Sequence, residues 1–301
     1  MKQYLDLLDD VMMNGVDSDD RTGVGTRCVF GRQLRFSLQH GFPAVTTKKL
    51  AFNSMKAELL WMISGSTNVH DLRAIQYGEE NRFNLEKKTV WDDNYNNQAL
   101  NLGYTDGELG CVYGAQWRRA TGIHSIIPVA KDNPPRTEYQ YVPIVIDQLQ
   151  QAISTIQNSP DSRRIIIDSW SPSEIHKMAL PPCHMMYQFR VIRGKLSCQV
   201  YIRSNDLFLG APYNIASYAL LTHMVAQVCE LEVGELVYTI GDAHIYKNHF
   251  NQVMEQLTRC PHPLPALVLN PDVKSIDDFK MDDIKLDGYI HHPAITAPMA
   301  I

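Results

Sequence analysis

A single α/β domain is the fold this 301-residue sequence predicts. Three observations predict it. Residues 2–14 and about 51–64 carry apolar side chains at helical spacing. Strand character recurs at Ile165-Ile166-Ile167, beyond Cys183, over Leu196–Ile202 and over Leu236–Ile240. No repeat, low-complexity tract or shift in composition divides the helical segments from the strands.

Each element has its own local signal. Tyr4, Leu5, Leu8, Val11 and Met12 define the first helix, and Gly15 suits its end. Asp17–Thr26 is a polar loop in which Gly23 and Gly25 allow close backbone approach and Arg21 is available to an anion; a solvated hairpin turn fits it equally. Arg27–Leu38 alternates as a pair of short strands. The helix over 51–64 has a broad apolar face and carries Glu58 directly before Leu59-Leu60-Trp61. A carboxylate there is either exposed on the helix flank or buried, and burial would raise its pKa toward neutrality. Residues 68–78 read as a second short helix. Residues 120–142, with Pro128, Pro134 and Pro135, read as a surface insertion, and Pro143 as the opening of a helix over about 144–157. Ile165-Ile166-Ile167 is a buried-strand signature, preceded by two arginines, Arg163 and Arg164, that cannot both enter a core. A long apolar helix covers 214–230. Gly241-Asp242-Ala243-His244-Ile245-Tyr246 follows the last long strand, and the proline-rich tail from 262 ends either frayed or docked.

Composition sets outer limits. Apolar residues make up 45% and charged residues 20%, a balance that supports a packed core. The net charge of −5 argues against a general nucleic-acid or membrane-surface binder, while clustered arginines still allow a small anionic substrate. The start, Met1-Lys2-Gln3-Tyr4-Leu5-Asp6, lacks a signal-peptide core, and no apolar run reaches membrane-span length, so a cytoplasmic protein is expected. Six cysteines without Cys-x-x-Cys spacing are expected to be free thiols, and no metal site is expected.

The stretch with the most chemical content is Leu180-Pro181-Pro182-Cys183-His184. Two prolines stiffen the approach and remove two backbone donors, so Cys183 stands at a fixed place at the head of a strand. It is either a nucleophile or a small buried hydrophobe. Downstream, Arg203-Ser204 at a strand end offers a charged fork beside a hydroxyl, suited to a phosphate.

In order and spacing, Asp20-Arg21-Thr22-Gly23, Thr46-Thr47-Lys48, Glu58-Leu59-Leu60-Trp61, Val112-Tyr113-Gly114, Ser162-Arg163-Arg164, Leu180–His184, Tyr201–Asn214, Gly241–Tyr246 and Ala297-Pro298-Met299-Ala300-Ile301 resemble the thymidylate synthase family over nearly the full length. The resemblance implies a homodimer whose large mixed sheets pack back to back, with dUMP as substrate and 5,10-methylenetetrahydrofolate as cosubstrate. It implies Cys183 as the nucleophile at C6 of uracil, with Arg203 favouring the thiolate. Arg21, Arg203 and Ser204 would hold the phosphate, joined by Arg163 and Arg164 of the second subunit. Asn214 would read the pyrimidine edge, His244 and Tyr246 the ribose. Glu58, Tyr113 and His184 would serve proton relay around O4. Asp206, Val90, Trp91, Leu209, Gly210, Tyr213, Ala300 and Lys48 would line the folate site, and the tail would close over it.

Against the usual family pattern, Ile202 replaces a glutamine, Tyr213 a phenylalanine, and Asn94 or Tyr95 a second tryptophan, and the 120–142 insertion is long. The same early steps serve two outcomes. Hydride completes methylation to dTMP, whereas water gives 5-hydroxymethyl-dUMP, and the choice rests on water exclusion. Trp91 and the closing tail point to methylation; Ile202-Arg203-Ser204-Asn205-Asp206 resembles the hydroxymethylases.

Overall fold

A computed structural model describes residues 1–125 and 141–299. Its centre is a six-stranded mixed sheet in the order β1 (Val16–Ser18), β2 (Thr26–Ser37), β8 (Glu232–Tyr246), β7 (Lys195–Asp206), β6 (His184–Ile192) and β5 (Ile166–Asp168). β7 and β8 run parallel and every other neighbouring pair is antiparallel. The β6–β7 hairpin turns on Arg193 and Gly194, both at positive φ (51° and 73°), the geometry of a tight turn that matches strand twist.

One face of the sheet is covered by α7 (Gly210–Val228), whose buried residues include Ala211, Ile215, Tyr218, Leu221 and Met224. A helix buried nearly all round its circumference belongs in the middle of a fold, and α7 packs between β7 and β8 on one side and α2 (Phe52–Ile63) on the other. α1 (Lys2–Asn14) packs on β2 and β8, and α8 (Phe250–Thr258) packs on α1. α3 (Val69–Tyr77) packs on α2, the single turn α4 (Asp92–Asn94) follows Trp91, and α5 (Tyr113–Arg119) packs on α2 and on α6 (Gln148–Asn158). The other sheet face is left open, with Phe30 80% and Ile166 42% exposed. Gln33 and Gln199 both reach Thr239 across it, at 3.1 and 3.4 Å. Among the described residues no helix is long and apolar enough to cross a membrane.

Several expectations need correction. Thr26–Ser37 is one twelve-residue strand, not two short ones. Ile165-Ile166-Ile167 is not buried throughout: Ile165 and Ile167 face the core and Ile166 the open face, because β5 is a sheet edge with period-two burial. At the two ends of the 120–142 segment β3 (Ala120–Ser125) pairs antiparallel with β4 (Tyr141–Ile146); its middle, 126–140, lies outside the described residues. The β-branched run Ile144-Val145-Ile146 prolongs that strand, so the helix expected from 144 starts at Gln148. Asp147 caps it by accepting from Gln150 N–H at 2.9 Å. Gly241–Tyr246 lies within β8, which continues to Tyr246. The tail is docked: His292 N–H donates to the Thr46 carbonyl (2.8 Å) and Arg259 to the Pro293 carbonyl (2.7 Å).

One buried ion pair braces the wall of the cleft. Arg73 and Asp92 are both almost fully enclosed and hydrogen bonded to each other. Arg73 also donates to the Lys87 and Arg82 carbonyls, and Asp92 accepts from the Thr89 backbone and hydroxyl. Asp92→Ala strands the Arg73 charge in the interior, and urea unfolding should show a loss of about 3–5 kcal/mol.

Candidate active site

The open end of the sheet gathers the start of β6, the ends of β7 and β8 and the start of β2. Cys183 sits at the first of these. Its N–H donates to the Tyr113 hydroxyl at 2.8 Å, and its carbonyl accepts from Arg203 N–H at 2.9 Å. Arg203 also turns its guanidinium onto the proline turn, Nε to the Pro182 carbonyl and Nη2 to the Pro181 carbonyl, both 3.0 Å. The prolines supply acceptors without competing donors, so the arginine is clamped beside the cysteine while its other N–H groups have no partner among the described residues. Burial pushes the Cys183 thiol above its ordinary range; the charges of Arg203 and then Arg21 oppose that rise. The Arg203 charge acts toward the thiolate, and desolvation outweighs it.

His184 follows, buried and stacked between Tyr113 (ring centroids 5.0 Å) and Tyr218 (5.4 Å). Burial takes its pKa down to about 4, so at neutral pH the ring is uncharged. Its Nε2 lies 2.6 Å from Asn214 Nδ2. Asn214, the fifth residue of α7, accepts at Oδ1 from Asn205 Nδ2 (3.2 Å), and Asn205 accepts from the Tyr238 hydroxyl (2.7 Å). The structure thus brings Cys183, Tyr113, His184, Arg203 and Asn214 into one connected group.

Glu58 is the second focus. It is buried on α2, 9% exposed, and accepts the indole N–H of Trp91 at 2.6 Å. Burial pushes its carboxyl up to about 7, against the opposing pull of Trp91 and the nearby Tyr213 hydroxyl. That hydroxyl is enclosed and has no hydrogen-bond partner of good geometry among the described residues. Trp91 is itself enclosed, packed on Trp61 (5.6 Å) and edge-on to Tyr113 (6.0 Å), with Val90 half-buried beside it. Its ring therefore anchors the carboxylate and links the Glu58 and Cys183 groups.

Asp206 ends β7. Its Oδ1 accepts from the N–H groups of Phe208 (2.8 Å) and Leu209 (3.1 Å), which shape the turn into Gly210 and α7. Its other oxygen has no partner among the described residues and is available to a donor-rich heterocycle. Lys48 does not reach outward. It is 6% exposed, bonds to the Phe208 carbonyl and lies 3.5 Å over the Phe208 ring. Burial pulls it down to about 7, against the nearby Asp206 charge. His249, fully enclosed, donates its ring to the Pro298 carbonyl at 2.7 Å and ties the tail beside Asp206. Ala300 lies outside the described residues.

The anion-binding candidates divide by sheet edge. Asp20 accepts from Thr22 N–H (2.9 Å) and Gly25 N–H (2.8 Å), and Gly23 and Gly25 take positive φ, so the loop is tightly wound and Arg21 is exposed at its tip. Ser204 is half-buried on β7, opposite Asp242 of β8. His244 bonds Asp242 at 2.7 Å and packs against Tyr246. Arg163 and Arg164 are exposed before β5, at the far edge of the sheet, and are not brought to Cys183 within this chain. Ile202 is fully buried on the α7 face and contributes packing.

Three participants escaped the sequence reading: Asn205, Tyr238 and His249. Asn205 carried a usable signal, a polar residue in the Arg203–Asp206 run; Tyr238 and His249 look like ordinary core aromatics. All six cysteines are free thiols, and among the described residues no group of three or more metal-ligating side chains clusters.

The raised Glu58 pKa has a definite sign. An unfolded glutamate ionises near its ordinary 4.5 whereas the folded one holds its proton to about 7. Its stabilising contribution is therefore complete below pH 4.5 and is lost as pH rises to 7, on the order of 3 kcal/mol. Glu58→Gln should flatten that slope in urea titrations run across the interval. A family model described as Thymidylate synthase matches residues 2–301.

Proposed function

Because the chain belongs to the thymidylate synthase family, we propose that it converts dUMP to dTMP by reductive methylation, with 5,10-methylenetetrahydrofolate as cosubstrate. The observation that carries this reading is the seat of Cys183, between the Tyr113 hydroxyl and the clamped Arg203, with Asn214 linked to it through His184. A uracil C5 is a poor nucleophile until C6 bears an adduct. Addition of the Cys183 sulfur to C6 shifts the ring electrons toward C5 and O4, and C5 can then form the new carbon–carbon bond. When bound, the folate supplies the one-carbon unit and the hydride.

The chain's own residues divide the remaining work. Asn214 donates to O4 and accepts from N3–H. Glu58, with a pKa near neutrality, accepts and returns protons at the O4 side. Arg21, Arg203 and Ser204 hold the phosphate, and His244 and Tyr246 the ribose. Loss of the C5 proton, with cleavage of the bond between the one-carbon unit and the folate nitrogen so that tetrahydrofolate leaves with that electron pair, gives an exocyclic methylene on the ring. Hydride addition to that carbon restores the C5–C6 double bond as the sulfur leaves with its electron pair. Asp206, Leu209, Gly210, Val90, Trp91 and Tyr213 provide the folate wall. The Asp206 oxygen that has no partner among the described residues suits a pterin's donors. Water exclusion supports hydride over water as the final reagent: Trp91 is 4% exposed, and the tail is strapped by His249 and Arg259.

The open sheet face supports a back-to-back homodimer, in which Arg163 and Arg164 would complete the phosphate site of the second copy. We place the enzyme in the cytoplasm, with no requirement for nucleic acid.

Incubation with dUMP and methylenetetrahydrofolate should give dTMP and an absorbance rise from dihydrofolate. 5-Hydroxymethyl-dUMP with tetrahydrofolate would instead make the protein a hydroxymethylase. Cys183→Ala should lower turnover at least about a thousandfold. Mixing inactive Cys183→Ala with a weakened Arg163→Ala/Arg164→Ala protein should restore activity, since a mixed dimer contains one site with both groups intact; no recovery would refute the shared site.

A further inference from the structure

Two enclosed residues stand behind Asn214 and have no part in the chemistry above. Asn205 is 4% exposed and Tyr238 0%. The Tyr238 hydroxyl donates to Asn205 Oδ1 (2.7 Å), Asn205 Nδ2 donates to Asn214 Oδ1 (3.2 Å), and Asn214 Nδ2 meets His184 Nε2 (2.6 Å). The two ends of a side-chain amide are nearly the same shape, so its partners alone decide which end points where.

In this series the Tyr238 end sets the sense. The phenol donates its single proton to Asn205 Oδ1, its one acceptor among the described residues, and turning the Asn205 nitrogen toward it would leave that buried proton without an acceptor. Asn205 must therefore turn its nitrogen to Asn214, and Asn214 must turn its oxygen back and its nitrogen to His184. His184 then accepts at Nε2 and keeps its proton on Nδ1, an atom with no partner among the described residues. Gly210 leaves room for both amides: a Cβ there would stand 3.3 Å from Asn205 Nδ2 and 3.5 Å from Asn214 Oδ1.

We propose that Asn205 and Tyr238 are positioning residues that set the donor–acceptor sense of Asn214 and thereby the preference for a 4-oxo over a 4-amino pyrimidine. Uracil presents an acceptor at O4 and a donor at N3; cytosine presents the reverse order. An amide held in one sense complements one of the two, and a mismatched pair leaves buried polar groups without partners. The substrate half of the proposal rests on the dUMP reading; the relay itself does not.

The test therefore has two arms. In the ligand-free protein, 15N NMR of the histidine rings, assigned with His184→Gln, should find His184 protonated on Nδ1. Tyr238→Phe removes the directing proton and should populate both tautomers. Asn205→Asp has no donor of its own, so it should draw the Asn214 nitrogen toward itself and shift His184 to the Nε2–H form. In the second arm, the ratio of dCMP to dUMP dissociation constants should fall about tenfold in Asn205→Asp. Unchanged tautomers in folded variants, judged by circular dichroism, overturn the relay, as does a tautomer shift with an unchanged ratio. If Asn205→Asp does not fold, Tyr238→Phe decides alone by the same tautomer criterion. If the wild-type protein binds neither nucleotide, the dUMP reading falls and the tautomers still decide the relay.

Discussion

The parallel pairing of β7 with β8 is the constraint on which the cleft depends. It sets Ser204 opposite Asp242, Asn205 opposite Ala243 and Asp206 opposite His244. Residues nearly forty positions apart in the chain thus become neighbours at one end of the sheet. β6 adds Cys183 from the other side through the Arg203 N–H bond to its carbonyl, and β2 brings the Arg21 loop to Tyr246. Parallel strands need a long crossover between them, and here α7 is that crossover. The same helix seals the apolar face of the sheet and presents Asn214 at its start.

Desolvation is the common cause of the site's electrostatics. It holds Glu58 near neutrality, keeps His184 uncharged and raises the Cys183 thiol, while two arginines pull the thiol back. A group poised between burial and a nearby opposite charge responds strongly to a ligand that changes either. A bound anion and an excluded water layer would change both.

Much of this could be read before the structure was known. Helix and strand periods located the first helix, α2, β6, β7 and α7, because each has an unmixed apolar pattern. The proline-flanked cysteine and the oddly placed Glu58 stood out because their surroundings are costly for the side chains they carry. The errors share a cause. Proline at 143 and the triplet at 165–167 were read by local propensity, but strand pairing and edge position decided their structure. The site's inner supports were hidden for another reason. Tyr238 lies in an apolar run and His249 in a polar one, and only the fold shows that their polar atoms meet Asn205 and the tail. Lys48, which the resemblance places at the folate site, turns its amine inward onto the Phe208 carbonyl, a contact no local pattern announces.

The two-residue turn at Arg193 and Gly194 lies at the opposite end of β6 and β7 from the cleft. Side chains along a strand alternate between faces, so adding or deleting one residue there would shift β7 by one position against β6 or β8. Asn205 would trade faces with Ser204 or Asp206, and Arg203 would leave the proline carbonyls. In a survey of insertions and deletions, this distant surface turn should therefore behave like the cleft itself, even though point substitutions at Arg193 touch nothing within it.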